Sequence, residues 1–191
     1  MGRIVVTEFV SLDGVFEDPG GSEGFEYGGW TFNAVPGDER YGFKYEETVA
    51  TDALLLGRVT YAGFAAAWPD REDELGFADK FNSMPKYVVS STLREPEWNN
   101  SHVVTLDDLP GLEGELLVNG SGRLTQSLLE HGLVDELRLM VFPTVLGQGR
   151  RLFAETPAEL RFQLVSSTPV GADGVTILVY RPGTEPERSV A

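Results

Sequence analysis

The chain has no cysteine and only two histidines, His102 and His131, in 191 residues. The first absence excludes disulfides, thiolate metal sites and cysteine nucleophiles. The second leaves too few imidazoles for a histidine-rich metal site, so no metal is expected. Positive charge is scarce as well: 15 Lys and Arg stand against 30 Asp and Glu, a formal net charge of −15. Phosphate neutralisation supplies most of the affinity of nucleic-acid binders, so nucleic acid is excluded as a partner. No apolar run is long enough to span a bilayer, and the start, Met1 to Val6, does not read as a signal peptide. The expected setting is the cytoplasm, away from membranes.

What is present is an alternation of short apolar runs and helical patterns. Residues 3–11 are β-branched and apolar on both faces, as in a buried strand. Asp13-Gly14 is a turn signal. Residues 17–37 form a long glycine-rich loop, and its aromatics (Phe25, Tyr27, Trp30, Phe32) argue against plain disorder. Helical patterns are predicted at 38–50, 59–67, 73–83 and 122–131, and strands at 53–56, 86–90, 103–104, 115–118 and 136–142. Strands at 161–167 and 175–181 have only a turn between them, so they pair antiparallel. The order implies one α/β domain over residues 1–182, with a mostly parallel sheet, helices on both faces and antiparallel C-terminal strands. Residues 183–191 are predicted to be a disordered polar tail.

Two strand ends run through glycine directly into a helix. Leu54-Leu55-Leu56 leads into Gly57-Arg58-Val59-Thr60, and Leu116-Leu117-Val118 leads into Asn119-Gly120-Ser121-Gly122-Arg123. A helix N-terminus offers free N–H groups and the positive end of its dipole, so each turn suits a phosphate. Two such turns suggest a ligand with more than one phosphate, such as a dinucleotide. A third segment, Ser90-Ser91-Thr92 with Arg94, follows the end of another strand, where ligands of parallel sheets gather. In so acidic a chain the site must be locally basic, and Arg58, Lys86, Arg94 and Arg123 are the candidates. Each segment has a plainer reading: a packing glycine, a polar turn, or Ser121 as a helix cap. The Rossmann fingerprint is absent, because its third glycine is missing.

In this order, the segments resemble the dihydrofolate reductase fold. They are closer still to the C-terminal reductase domain of the bacterial riboflavin-biosynthesis deaminase/reductase, and to stand-alone proteins built on that domain. The matching text is Thr7-Glu8-Phe9-Val10-Ser11-Leu12-Asp13-Gly14, Leu55-Leu56-Gly57-Arg58-Val59-Thr60-Tyr61, Lys86 to Leu93, Val118 to Gly122, and Leu133 to Gly149. The resemblance covers roughly residues 3–181 and implies a three-layer sandwich and NADPH as cofactor. It implies that Gly57, Arg58 and Thr60 hold cofactor phosphates, with Arg58 at the 2′-phosphate. Ser90 and Ser91 would line the adenosine end. Asn119, Gly120, Ser121 and Gly122 would cradle the pyrophosphate, with Leu124 packed nearby. Phe142 and Pro143 would shape the substrate pocket. From the residues alone, Trp30 of the long loop is either an anchor of that loop or a lid that stacks on the substrate ring. The substrate would be a small pterin- or pyrimidine-like heterocycle or another unsaturated compound, and related domains often form homodimers.

Dihydrofolate reductases proper use a buried carboxylate to support protonation, and no single residue here matches it by position. Asp13 is the catalytic candidate, beside a plainer role as a turn-former. Glu8, Glu23, Glu26 and Asp38 are further candidates. A carboxyl in a dry pocket has a raised pKa and can deliver a proton. Two other functions fit the same residues: a nucleotide- or pterin-binding module without turnover, and a dimeric structural domain.

Overall fold

The computed structural model describes residues 2–33, 38–153 and 159–183. The expected tail lies outside them, apart from Gly183, as do residues 34–37 of the long loop.

Among the described residues eight strands form one sheet: β1 (Arg3–Ser11), β2 (Ala53–Gly57), β3 (Lys86–Val89), β4 (Ser101–Val104), β5 (Glu115–Asn119), β6 (Glu136–Phe142), β7 (Phe162–Val170) and β8 (Val175–Pro182). Their order is β4-β3-β2-β5-β1-β6-β8-β7. The first six run parallel, and β8 and β7 complete an antiparallel edge. The predicted α/β architecture is the observed one. The helices are α1 (Asp38–Ala50), α2 (Arg58–Ala67), α3 (Phe77–Ser83) and α4 (Gly122–Glu130).

Successive strand side chains point to opposite faces, so each central strand feeds two cores. Ile4, Val6, Val10, Leu55, Leu116 and Val118 pack with Leu124 and Leu128 of α4. Val5, Leu54, Leu56 and Leu117 pack on the other face, with Tyr61 of α2 and Phe81 of α3. A third cluster joins Met140 and Phe142 of β6 to Trp30, Val175 and Ile177. Tyr61, Phe64 and Trp68 thus belong to the core on the α2 side.

Two element boundaries differ from the sequence expectation. The third helix starts at Phe77, not residue 73, because the Asp73 carboxylate accepts the N–H groups of Phe77 and Ala78 and holds the preceding turn outside the helix. The glycine-broken stretch at 107–114, which reads in sequence as a loop or a single turn, forms a 3-10 turn, Leu106–Gly111, closed by a capping box between Thr105 and Asp108. Strand β4 also begins two residues early, at Ser101.

Candidate active site

The chain leaves β1 through α1 toward β2 on one side, and leaves β5 through α4 toward β6 on the other. Connections that depart in opposite directions from neighbouring strands open a crevice at their carboxyl ends, where α/β proteins bind ligands. Here β5 stops early. Its last residue, Asn119, lies opposite Thr7, and β1 continues through Glu8 to Ser11 beside β6. The Gly120 N–H closes the strand end by donating to the Thr7 carbonyl.

The two glycine turns meet on this crevice. The Gly57 N–H donates to Ser121 Oγ at 2.9 Å. A Cβ at Gly120 would lie 3.6 Å from the methyl carbon of Thr60. Ser121 therefore does not cap its own helix; it sits in the left-handed region (φ 68°) with its hydroxyl turned across to β2. Neither α2 nor α4 has a side-chain cap, so both first turns keep unsatisfied N–H groups beside the same opening. Gly120, also at positive φ, makes the preceding turn. Gly122 serves packing, since a Cβ there would run into the Phe16 ring.

The polar groups around this opening are uncommitted. Among the described residues the side chains of Arg58, Thr60, Arg94, Asn119 and Arg123 have no hydrogen-bond or ion-pair partner. By contrast Arg3, Lys44, Arg138, Arg150, Arg151 and Arg161 are all paired with acids. Unspent guanidiniums in a chain of net charge −15 fit an anion-binding role. Ser90 and Ser91 stand at the end of β3, two strands from β5. Ser90 Oγ accepts the N–H groups of Thr92 and Leu93 and shapes the turn, while Ser91 is exposed. Lys86 does not belong to the site. It starts β3 at the opposite end of the sheet, fully buried, with Nζ held by the carbonyls of Asn82 and Asn99. Burial lowers its pKa to about 8.

The expected substrate residues lie under the α1 side. Trp30 and Phe142 are buried edge-to-face, their ring centroids 5.4 Å apart, and Phe9 meets Phe142 in the same way at 5.7 Å. Trp30 anchors the long loop by donating from Nε1 to the Glu17 carbonyl. Pro143 is exposed just beyond β6.

The carboxylate candidates separate cleanly. Asp13 accepts hydrogen bonds from Ser11 Oγ and from the N–H groups of Leu146 and Gly147, and the Arg151 guanidinium is 3.5 Å away. The Ser11 bond leads in lowering its pKa to about 2. Its hydrogen bonds clamp the turn after β1 to the segment after β6 and favour the ionised carboxylate. Glu23 pairs with Arg150 and Glu26 accepts from Gln148, both at exposed sites. The Asp38 side chain lies outside the described residues. Glu8 is buried on the α4 face of β1, where Thr125 Oγ1 donates to Oε1 at 3.3 Å. Burial raises its pKa to about 8, against the opposing effects of the Thr125 bond and the Lys44 charge.

Sequence reading missed a buried ionic chain. Glu47, on α1, accepts from Lys44 at 2.6 Å and from Arg138 of β6 at 3.1 Å. Arg138 continues to Glu136, which also meets Arg3 and Arg181. Lys44 Nζ reaches Thr7 Oγ1 at 2.9 Å. Lys44 and Glu47 are spaced for one helix face, and Arg138 interrupts an apolar strand. These were the only signals in the sequence.

Among the described residues no cluster of His, Asp or Glu has metal-site geometry, and no helix is long and apolar enough to cross a membrane. Residues 3–176 match the family model of the RibD C-terminal domain. YyaP of Bacillus subtilis, itself uncharacterised, is 28% identical over 189 residues, covering 93% of this chain and 94% of that protein. A protein assigned to riboflavin biosynthesis in Shewanella sp. PV-4 superposes with a TM-score of 0.73 at 25% identity, over 95% of this chain and 99% of its own. Dihydrofolate reductase from Enterococcus faecalis, solved with NADP(H), gives a TM-score of 0.60 at 16% identity, over 96% and 98%. Acinetobacter baumannii RibD gives 0.61 at 17%, and this chain spans 58% of it. The open crevice, the joined glycine turns and these likenesses agree, and the chain belongs to the RibD C-terminal domain family, on a dihydrofolate reductase-like fold.

Proposed function

We propose that this chain is an NADPH-dependent reductase acting on a small pterin- or pyrimidine-like heterocycle or a related unsaturated compound. The observation that carries the reading is the bond from the Gly57 N–H to Ser121 Oγ, which joins two uncapped helix N-termini at one crevice. A ligand with several phosphates suits that arrangement, and free Arg58 and Arg123 stand at the start of the two helices. The donor set fits NADPH: Asn119, Gly120, Ser121 and Gly122 at the pyrophosphate, Gly57, Arg58 and Thr60 at a further phosphate, and Ser90 and Ser91 toward the adenosine. The NADP(H) complex of the Enterococcus enzyme supports the same cofactor. When bound, NADPH supplies a hydride; the chain's residues orient it, exclude water and manage the proton. Trp30, Phe142 and Pro143 would bound the substrate side.

Binding tests the reading directly. NADPH should raise the melting temperature and NADH should do so far less. Arg58→Ala should weaken NADPH about tenfold and leave NADH unchanged, because a lost charge-assisted bond to the 2′-phosphate is worth about 1.5 kcal/mol. Equal, weak response to both nucleotides would overturn the assignment. Binding without oxidation across a panel of pterins, pyrimidines and quinones would make the chain a binding module.

The chain is also proposed to act as a homodimer. Strand β7 is one edge of the sheet, and Leu164 and Val165 are about half exposed on it. Light scattering at micromolar concentration distinguishes dimer from monomer.

A further inference from the structure

We propose that Lys44 and Thr7 form an oxygen-binding site beside the aromatic wall of the substrate pocket, and that this site selects a ring bearing a carbonyl over the same ring bearing an amino group. The inference rests on the reductase reading above and narrows its substrate class.

Side chains alternate along β1, so Thr7 and Phe9 share the face on which α1 lies, while Val6 and Val10 face α4. Lys44 Nζ, from α1, donates to Thr7 Oγ1 at 2.9 Å and stands 5.4 Å from the centre of the Phe9 ring. Phe9 packs edge-to-face on Phe142, and Phe142 on Trp30. The ammonium therefore lies against the cluster to which the substrate is assigned. Thr7 is also the residue opposite Asn119, where β5 ends and the proposed pyrophosphate cradle begins. Lys44 and Thr7 thus stand between the cofactor turn and the aromatic wall, where a ring that meets the cofactor would lie.

Both groups keep a spare donor. An ammonium has three N–H donors and a hydroxyl has one O–H. Lys44 gives one hydrogen to Glu47 Oε2 at 2.6 Å and one to Thr7, and its third has no hydrogen-bond acceptor among the described residues. Thr7 is 3% exposed. Its oxygen accepts from Lys44, and its own hydrogen has no acceptor among the described residues either. Buried donors are normally paired. Two spare donors on atoms 2.9 Å apart match the two lone pairs of one carbonyl oxygen.

Glu47 decides what the site accepts. Its two oxygens are taken, Oε2 by Lys44 and Oε1 by Arg138. An amino group placed here would turn its hydrogens toward donors and find no free acceptor among the described residues. A full anion would meet the Glu47 carboxylate close by, whereas a neutral carbonyl, as in a cyclic amide or ring ketone, meets only the two donors. Glu47 is almost fully buried, so it also holds the ammonium in place before any ligand arrives.

Matched ring pairs test the site, titrated calorimetrically into the full chain without cofactor. The pairs are pterin and 2,4-diaminopteridine, isocytosine and 2,4-diaminopyrimidine, and quinolin-4-one and 4-aminoquinoline. The wild type should bind the carbonyl member about tenfold more tightly, the worth of a charge-assisted bond. Lys44→Met should cut that preference to within about twofold, and Thr7→Val, which keeps the shape and loses a neutral bond, should cut it about threefold. A purely structural role would weaken both members of a pair equally. An amino member bound as tightly as its carbonyl partner overturns the proposal. So does a preference that survives Lys44→Met, or a wild type that binds no carbonyl member of any pair. Should Lys44→Met fail to fold, an unchanged preference in Thr7→Val overturns it instead. NADPH binding is scored separately. A wild type that prefers carbonyl rings but does not bind NADPH keeps the oxygen site and overturns the reductase reading; one that binds NADPH and shows no preference overturns the oxygen site alone.

Discussion

The ring of Phe16 occupies the space that a side chain at residue 122 would need: a Cβ there would lie 2.1 Å from Phe16 Cζ. Gly122 opens α4, where alanine would ordinarily stabilise a helix by up to about 1 kcal/mol. The collision reverses the sign. Gly122→Ala should cost about 1–3 kcal/mol, an overpacking penalty. Phe16→Leu shortens the obstructing ring, so the same substitution should cost less than half as much in that background. Urea denaturation of the four proteins closes the cycle. Equal costs in both backgrounds would mean that the glycine is required for another reason.

Ser121 couples two segments far apart in the chain. Its left-handed backbone costs about 1 kcal/mol for a residue with a side chain, and its hydroxyl satisfies the Gly57 N–H. Ser121→Ala keeps the strain and loses the bond, so it should destabilise by about 1–2 kcal/mol. Ser121→Gly loses the same bond but relieves the strain and should lie between alanine and wild type. Thermal melts order the three. An alanine variant as stable as the wild type would show that the bond contributes nothing.

The alternation of apolar runs with glycine turns made the sheet readable in advance. Leu54 to Leu56 and Leu116 to Val118 are buried on both faces and could hardly be anything but central strands. The turns at Gly57 and Gly120 were visible for the same reason, each ending an apolar run at a helix start. Their meeting was not visible: Gly57 and Ser121 lie 64 positions apart, and only the strand order, with β5 beside β2, brings them together. Lys86 was misread as part of the site because its distance along the chain says nothing about which end of β3 it occupies. The donors that hold Asp13 as a carboxylate were not visible either, because two of them come from Leu146 and Gly147, far along the chain. The Glu47–Arg138 pair spans 91 positions, and no local pattern announces it.

Asp13 should make the turn after β1 acid-labile. Its pKa is lowered, first by the Ser11 bond, to about 2 from 3.8. A carboxylate depressed in this way contributes stability above its unfolded pKa and loses it as pH falls through the folded value. The contribution is therefore intact above about pH 4 and disappears toward pH 2. Asp13→Asn should lower the melting temperature at neutral pH by a few degrees, and the gap should close as the acid range is entered. Hydrogen exchange at Leu146 and Gly147 should speed up in the variant. If their exchange is unchanged, Asp13 is not what holds that segment.

The buried ionic chain has an asymmetry that a pair of substitutions exposes. Glu47 is almost fully buried and faces two cations, Lys44 and Arg138. Removing it leaves Lys44 without its anion and Arg138 with Glu136 alone in a low-dielectric setting, so Glu47→Ala should cost about 3–5 kcal/mol. Lys44 is one of two cations on that carboxylate, and methionine keeps its length and apolar stem. Lys44→Met therefore leaves Glu47 paired with Arg138 and should cost less than half as much. The loss of Lys44 also removes a charge that lowers the Glu8 pKa, so that acid should titrate at a higher pH in the variant. Chemical denaturation gives the two costs, and the pH dependence of the melting temperature gives the shift. Equal costs for the two substitutions would mean that Arg138 does not hold Glu47 on its own, and that the chain acts as one inseparable unit.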